Sequence, residues 1–373
     1  MIIGIAKEIK NQEYRVAAVP SAVLEMTRHG HTVYVEKDAG TRAGFPDEEY
    51  AAAGAIICDT ATIYEKSELV YKVKEVLPQE FGFYHENQIL FTYLHSETRP
   101  EMTADLLKSK IIGIAYENVR TEDGKLPLLQ PMSEIAGKGG FISAYNYMQT
   151  LNGGCGKMLS RICGLEAPQV VIIGCGSVGM AAAEYAAALG NKVTMLDVFR
   201  KALENAHRSL PSNVETLVCN RANILSLLPK ADVVINCVMW DHRRNDHLIY
   251  REDLKLMKPT AVIVDVSSDD HGAIETSVMT THDDPVYREE GILHYAVPNI
   301  PSMYANTASQ LLCAATLPYL LQIADQGVEA ALKNNKALCS GVSFWKGEVV
   351  WKETADMMGY PYLSPSELAE RLG

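Results

Sequence analysis

The stretch from Gln169 to Asp197, QVVIIGCGSVGMAAAEYAAALGNKVTMLD, restricts more than any other what this chain can fold into. Val170 to Ile173 is an unbroken apolar run, the pattern of a strand buried on both faces. Gly174, Gly176 and Gly179 follow with the spacing GxGxxG. The first glycine permits a tight turn, the second lets backbone approach a pyrophosphate, and the third lets a helix pack close to the strand. An alanine-rich helix is expected over Met180 to Leu189, stopped at Gly190, with the free N–H groups of its N-terminus turned toward phosphate. Ser177 and Val178 lie at that end and join the three glycines as expected cofactor contacts. Lys192 to Leu196 reads as a second strand. Asp197 ends it about 20 residues beyond the glycines, where a carboxylate accepts hydrogen bonds from an adenosine ribose. Strand, glycines, helix, strand and acid in this order predict dinucleotide binding.

At 373 residues the chain is too long for one ordinary core and suits two domains. Its 34 Lys and Arg against 46 Asp and Glu give a net charge of −12, which disfavours a nucleic-acid partner. No apolar run approaches a membrane span, and MIIGIAKEIK is too short and too soon charged for a signal peptide, so a soluble cytoplasmic protein is expected. The eight cysteines are scattered, with no CxxC pair and no Cys/His spacing of a zinc site. They read as reduced thiols, and no structural metal is expected.

Strands alternate with helices on both sides of the glycine motif. Before it, strands are expected over Met1 to Ala6, His31 to Glu36, Ala55 to Cys58, Leu69 to Val76, Ile89 to Leu94 and Ile111 to Glu117. A helix over Ser133 to Met148 carries Gly139 and Gly140 as close-packing points. After Asp197, strands are expected over Val214 to Cys219, Ala231 to Val238, Ala261 to Val266 and His294 to Pro298. The fold class is therefore α/β with two domains. A doubly wound Rossmann dinucleotide domain spans 131–307, and a discontinuous Rossmann-like substrate domain takes 1–130 and 308–373. The tail, Gly327 to Gly373, shows no strong sheet pattern.

Ligands in such sheets sit outside the carboxyl ends of strands, so strand ends carry the candidates. Asp269 and Asp270 follow the strand Ala261 to Val266, and the loop Trp240 to His247 follows Ala231 to Val238. Both are expected to face the nicotinamide. Arg243 and Arg244 in that loop suit a second substrate carboxylate. In the first domain, Arg15 in a polar loop and Lys74, sharing one strand face with Lys72, suit binding of a carboxylate. His95 ends an apolar strand, where an imidazole near its ordinary pKa suits general acid/base work. The histidines 242, 247, 271, 282 and 294 show no ligand spacing.

Together the segments KEIKNQEYRVAAVP, VYKVKEVLP, FTYLH, IAYENV, PMSEIAGKGG, GCGSVGMAAA followed by LD, KPTAVIVDVSSDDHGAIETS, TTHDDPVY, HYAVPNIPS and ATLPYLL resemble the L-alanine dehydrogenase family. That group includes the NAD(H)-binding part of proton-translocating transhydrogenase, and the resemblance runs in order over nearly the whole chain. It implies Arg15 and Lys74 as carboxylate binders, His95 as the acid/base, Asp269 as the active-site carboxylate and Asn299 in the loop over the nicotinamide. It further implies Ser133 at the pyrophosphate, NAD as cofactor, an amino acid or 2-oxo acid as the small-molecule partner, and a homohexamer. The expected reaction is reversible oxidative deamination of a small L-amino acid, foremost L-alanine. The alternatives are an N-carboxyethyl amino-acid synthase condensing pyruvate with ornithine or lysine, and a transhydrogenase-like NAD(H) module without chemistry of its own. Three segments depart from the family pattern: SDDHG where IDQGG is usual, WDHRRNDH where an apolar, proline-containing loop is usual, and GGCGKMLSRICG in place of a connector resembling GGRGVLLGGVPG.

Overall fold

A computed structural model describes residues 1–241, 244–268 and 271–372. The chain divides into two compact units, Met1–Met132 with Tyr304–Gly373, and Ser133–Met303. Among the described residues no helix is long and apolar enough to cross a membrane.

The first unit is built on β1 (Ile2–Ile5), β2 (Thr32–Glu36), β3 (Ile56–Cys58), β4 (Leu69–Tyr71), β5 (Ile89–Thr92) and β6 (Ile112–Ala115). All six pair in parallel in the order β6-β5-β4-β1-β2-β3. The apolar runs of β4, β5 and β6, such as Ile89, Leu90 and Phe91, are buried throughout, as helices on both faces require, whereas the edge strand β3 exposes Ile56. The tail is not sheet-free: Val342–Trp345 pairs antiparallel with β6, and Glu348–Val349 completes the edge. Ser343 breaks the apolar run of the first of these strands, and the second has only two residues, so neither reads as a strand in sequence. Strand order reverses between β1 and β4, and there the two crossovers leave in opposite directions and open a crevice at the carboxyl ends.

The second unit repeats the plan with β7 (Gln169–Ile173), β8 (Lys192–Asp197), β9 (Val214–Val218), β10 (Val233–Asn236), β11 (Val262–Asp265), β12 (Val286–Glu289) and β13 (Ile292–Tyr295). The order is β12-β13-β11-β10-β7-β8-β9, parallel except for β12. Here the reversal lies between β7 and β10. A core of Val171, Ile173, Leu196, Val234, Ile263 and Ile274 closes one side of the sheet.

The helix Ser177–Ala188 starts directly at Gly176, three residues earlier than the alanine pattern suggests. It buries Ala181, Ala182, Ala183, Ala186 and Ala187, small side chains that let it lie close to the sheet. The helix Gln130–Tyr147 packs closer still, through Gly140, as expected, and through Gly137. A Cβ on Gly137 would stand 2.0 Å from the Val178 carbonyl oxygen, and one on Gly140 would meet the Val266 side chain at 2.7 Å.

Candidate functional site

In the first unit four consecutive strand ends around the reversal deliver charged side chains. β1 runs into the loop that carries Glu8, Lys10, Glu13 and Arg15, β4 into Lys74 and Glu75, β5 into His95, and β6 into Glu117.

Arg15 is buried. Its Nε and Nη2 donate to the two oxygens of Glu13 at 2.7 and 2.5 Å, and Nη1 reaches the Met132 sulfur at 3.2 Å. Burial works against its charge, but the Glu13 carboxylate more than offsets that and raises its pKa. The loop KEIKNQEYR is thus a folded, partly buried structure rather than a solvated turn.

Lys74 does not share a strand face with Lys72, because β4 stops at Tyr71. Lys72 is fully buried against Glu80, a structural pair. Lys74 stands on the loop beyond, where the Glu8 carboxylate accepts the N–H groups of Val73 and Lys74 at 2.6 and 3.1 Å. Burial and the neighbouring Arg15 charge bring the Lys74 ammonium down to about 8. The burial of Glu75 opposes its ionisation, but Lys74, Lys10 and Arg99 prevail and hold it at about 2. Lys10 and Arg99 reach its Oε1 at 2.7 and 2.9 Å, and Lys74 stands 4.0 Å from its Oε2.

His95 has left-handed backbone, φ 47° and ψ 44°, uncommon for a residue with a side chain. Its ring stacks on Tyr93 at 6.1 Å, whose hydroxyl donates to the Leu128 carbonyl at 2.7 Å. Contrary to the expectation of an ordinary pKa, burial and the Lys74 charge push the imidazole down to about 4. The ring is therefore neutral near pH 7. Glu117 holds the turn: its Oε1 accepts the N–H groups of Leu94 and His95 at 2.9 and 2.6 Å. Burial raises the Glu117 carboxyl to about 7.

Glu8, Glu13, Glu75 and Glu117 were not singled out in the sequence. The only signal there is that Glu8, Glu75 and Glu117 lie within four residues of a strand's carboxyl end, with Glu13 further along the loop after β1, and charge alone does not tell a buried carboxylate from a solvated one.

In the second unit the glycine motif shows three distinct local environments. Gly174 adopts φ 104°, which a side chain disfavours, and a Cβ there would crowd the Cys237 carbonyl at 3.1 Å. Gly176 has open space in front of it, with nothing within 4 Å of an added Cβ. Gly179 lies so close to the strand turn that a Cβ would stand 1.9 Å from the Gly174 oxygen. No side chain caps the helix that begins at Ser177, which leaves the N–H groups of Ser177, Val178 and Gly179 for an anion. Ser133 lies one turn before Gly137, the residue pressed against Val178.

Asp197 ends β8. Its Oδ2 accepts the Cys175 N–H at 2.7 Å and its Oδ1 the Phe199 N–H at 2.8 Å, which ties the acid to the glycine turn. Arg200 points along its own helix to Glu204 at 2.9 Å. A cavity of about 400 Å³ is lined by Gly174, Gly176, Asp197, Phe199, Trp240 and Arg244, among others. The loop expected beside the nicotinamide therefore borders the end of the pocket marked by Asp197. Arg244 donates to Asp246 at 2.7 and 2.5 Å and lies over the Trp240 ring at 4.2 Å, so its fork is engaged within the loop. Arg243, Asp269 and Asp270 lie outside the described residues. The Asn299 carbonyl accepts from Ser302 at 3.0 Å and meets Nε2 of His282 at 3.1 Å.

The residues present fit a dinucleotide: a positive-φ turn, an open glycine, an uncapped helix start and an acid at the next strand end. The sequence matches the models Alanine dehydrogenase/PNT, N-terminal domain, over residues 4–136, and Alanine dehydrogenase/PNT, C-terminal domain, over residues 140–352. It is 44% identical over 371 residues to an alanine dehydrogenase of Methanococcus maripaludis, covering 99% of both chains. An alanine dehydrogenase of Staphylococcus haemolyticus is 41% identical over 366 residues, 98% of both. Among solved structures, an L-alanine dehydrogenase superposes with a TM-score of 0.92 at 38% identity, over 96% of this chain and 99% of that one. A transhydrogenase from Sinorhizobium meliloti shares the fold, with a TM-score of 0.80 at 23% identity over 94% of this chain and 99% of that one.

Proposed function

Because this chain belongs to the alanine dehydrogenase/PNT family, we propose that it interconverts L-alanine with pyruvate and ammonia, using NAD. The observation that carries the reading is the set Arg15, Lys74 and His95 on successive strand ends, with the charge of Arg15 acting on Lys74 and that of Lys74 on His95. An amino-acid carboxylate suits this paired positive charge: Arg15 offers a directional fork and Lys74 a point charge.

The cofactor, when bound, supplies the hydride acceptor in one direction and the donor in the other. Gly174, Gly176, Ser177, Val178 and Gly179, with Ser133, would hold its pyrophosphate, Asp197 its adenosine ribose, and Asn299 would border the nicotinamide. Arg15 and Lys74 hold the substrate carboxylate and orient Cα. The substrate ammonium releases a proton to water and Cα loses hydride, which leaves a 2-iminium acid. His95, neutral at the start, takes a proton from water as its oxygen attacks the imine carbon. It returns that proton to nitrogen, then takes the hydroxyl proton as the carbinolamine collapses to pyruvate and ammonia, and passes it to the departing ammonia as ammonium. A bound carboxylate offsets the Lys74 charge that depresses His95, so substrate raises the basicity of the ring when it is needed. Asp269 is assigned the balancing carboxylate.

NAD is preferred over NADP on the strength of Asp197, whose charge opposes a 2′-phosphate. The reading includes a cytoplasmic homohexamer, tested by light scattering. The enzymatic test is NADH formation with a panel of amino acids, and the reverse reaction of pyruvate with ammonia, ornithine or lysine. L-Alanine with NAD, and pyruvate with ammonia, should give the highest kcat/KM. Faster condensation with ornithine or lysine, or no turnover of any amino acid, would overturn the reading.

A further inference from the structure

The turn between the helix Pro20–Arg28 and β2 sets His29 and His31 on either side of Gly30, whose φ is 85°. Asp325, near the end of the helix Ala305–Gln326, stands against both rings. Nδ1 of His29 lies 3.0 Å from its Oδ2 and 3.2 Å from its Oδ1, and Nε2 of His31 lies 2.9 Å from Oδ1. One nitrogen of each imidazole and one carboxylate oxygen all fall within 4.8 Å of one another. All three residues lie in the first unit, and none belongs to the site described above.

From this geometry we propose that His29, His31 and Asp325 bind a divalent transition-metal ion of the zinc class, with water completing the coordination. The ion would clamp the end of the helix Ala305–Gln326 to the start of β2.

Two neutral imidazoles and one carboxylate suit zinc, nickel or copper, whereas calcium and magnesium seek oxygen donors only. Bonds of about 2.0–2.1 Å place the donors of a tetrahedral zinc roughly 3.3 Å apart. The separations of 2.9–3.2 Å around Asp325 need open by only a few tenths of an ångström. The outer groups also fit. Nε2 of His29 faces Oε1 of Glu25 at 3.5 Å, the carboxylate partner that a metal-bound histidine uses to fix its ring. When the metal takes Nδ1 of His29, that proton moves to Nε2 and turns to Glu25. When it takes Nε2 of His31, the proton moves to Nδ1, and the Met1 amine 3.4 Å away loses an acceptor. Sequence spacing conceals the site, because the carboxylate lies 294 positions from His31.

The test uses the full chain without an affinity tag, freed of metal by chelator dialysis. Co²⁺ is titrated by visible absorbance and Zn²⁺ by calorimetry, with thermal melts in parallel. One ion per chain with tetrahedral Co²⁺ bands is expected, and at a hundredfold excess of Zn²⁺ over its Kd a rise in Tm of roughly 5–10 °C. His29→Gln, at a ring with 36% of its surface exposed, and Asp325→Asn should each weaken binding at least tenfold. Glu25→Gln should weaken it by about tenfold without abolishing it. Melts of the metal-free variants report folding separately. Absence of saturable one-ion binding overturns the proposal, as does equal affinity in the wild type, His29→Gln and Asp325→Asn.

Discussion

Oε1 of Glu117 takes the backbone N–H of His95 at 2.6 Å and stands 3.9 Å from Nδ1 of the same histidine. One buried oxygen thus fixes the strained turn and faces the ring that turn presents. Glu8 does the same for Lys74, accepting the N–H groups of Val73 and Lys74. The groups assigned to substrate are held from behind by carboxylates whose ionisation burial resists.

Glu117→Gln preserves an acceptor for both N–H groups and removes a carboxyl whose folded pKa, about 7, exceeds its unfolded value. Between pH 4.5 and 7 the folded state binds the extra proton, so the wild type loses stability as pH rises through that window. The variant should lose less, gaining on the order of 3 kcal/mol relative to the wild type at pH 8 compared with pH 4. Denaturant melts at the two pH values measure this. Glu117→Ala, which orphans both N–H groups, should instead destabilise at both and lower kcat.

His95→Ala should reduce kcat for L-alanine by about a hundredfold or more and leave NADH affinity, read by fluorescence titration, unchanged. Near-normal turnover would transfer the proton-handling role elsewhere, with His271 the first residue to test.

Pyruvate binding to the NADH complex should weaken above pH 8, as Lys74, held at about 8, loses its proton. Lys74→Arg should remove that limb, because a guanidinium stays charged throughout. The dissociation constant of pyruvate against pH distinguishes the two.

Gly176→Ala separates binding from folding. Nothing lies within 4 Å of the added methyl, so Tm should stay within about 2 °C of the wild type, while the NAD dissociation constant rises at least tenfold as the methyl enters pyrophosphate space. Gly179→Ala, facing the Gly174 oxygen, should fail to fold.

Arg244→Ala should raise KM for NAD and leave KM for pyruvate unchanged, because Arg244 shares its pocket with Asp197 and Phe199. Selective loss of an ornithine condensation would instead support a carboxylate-binding role.

The parallel strands of both sheets were legible because buried parallel strands read as continuous apolar runs, and β7 to β8 carried the glycine spacing as well, whereas the antiparallel edge strand β12, with its half-buried VYRE, was not. The hairpin Val342–Trp345 and Glu348–Val349 was not legible either, since Ser343 interrupts the apolar run of the first strand and the second has only two residues. Arg15 and Lys74 stood out by residue type, and His95 by its place at a strand end. Their electrostatics did not: the low pKa of His95 arises from burial and from Lys74 on another strand end, a pairing set by β4 and β5 lying side by side in the sheet. Glu117 was missed for the same reason.

The hairpin that closes the first sheet also orders events on the ribosome. β6 emerges early, with one edge unpaired, and Val342–Trp345 that covers it is made only after all of Ser133–Met303. The nucleotide unit can complete its own sheet while the substrate unit still waits for its last strands. During that interval the open edge of β6 is exposed to pairing with a neighbour on the same message.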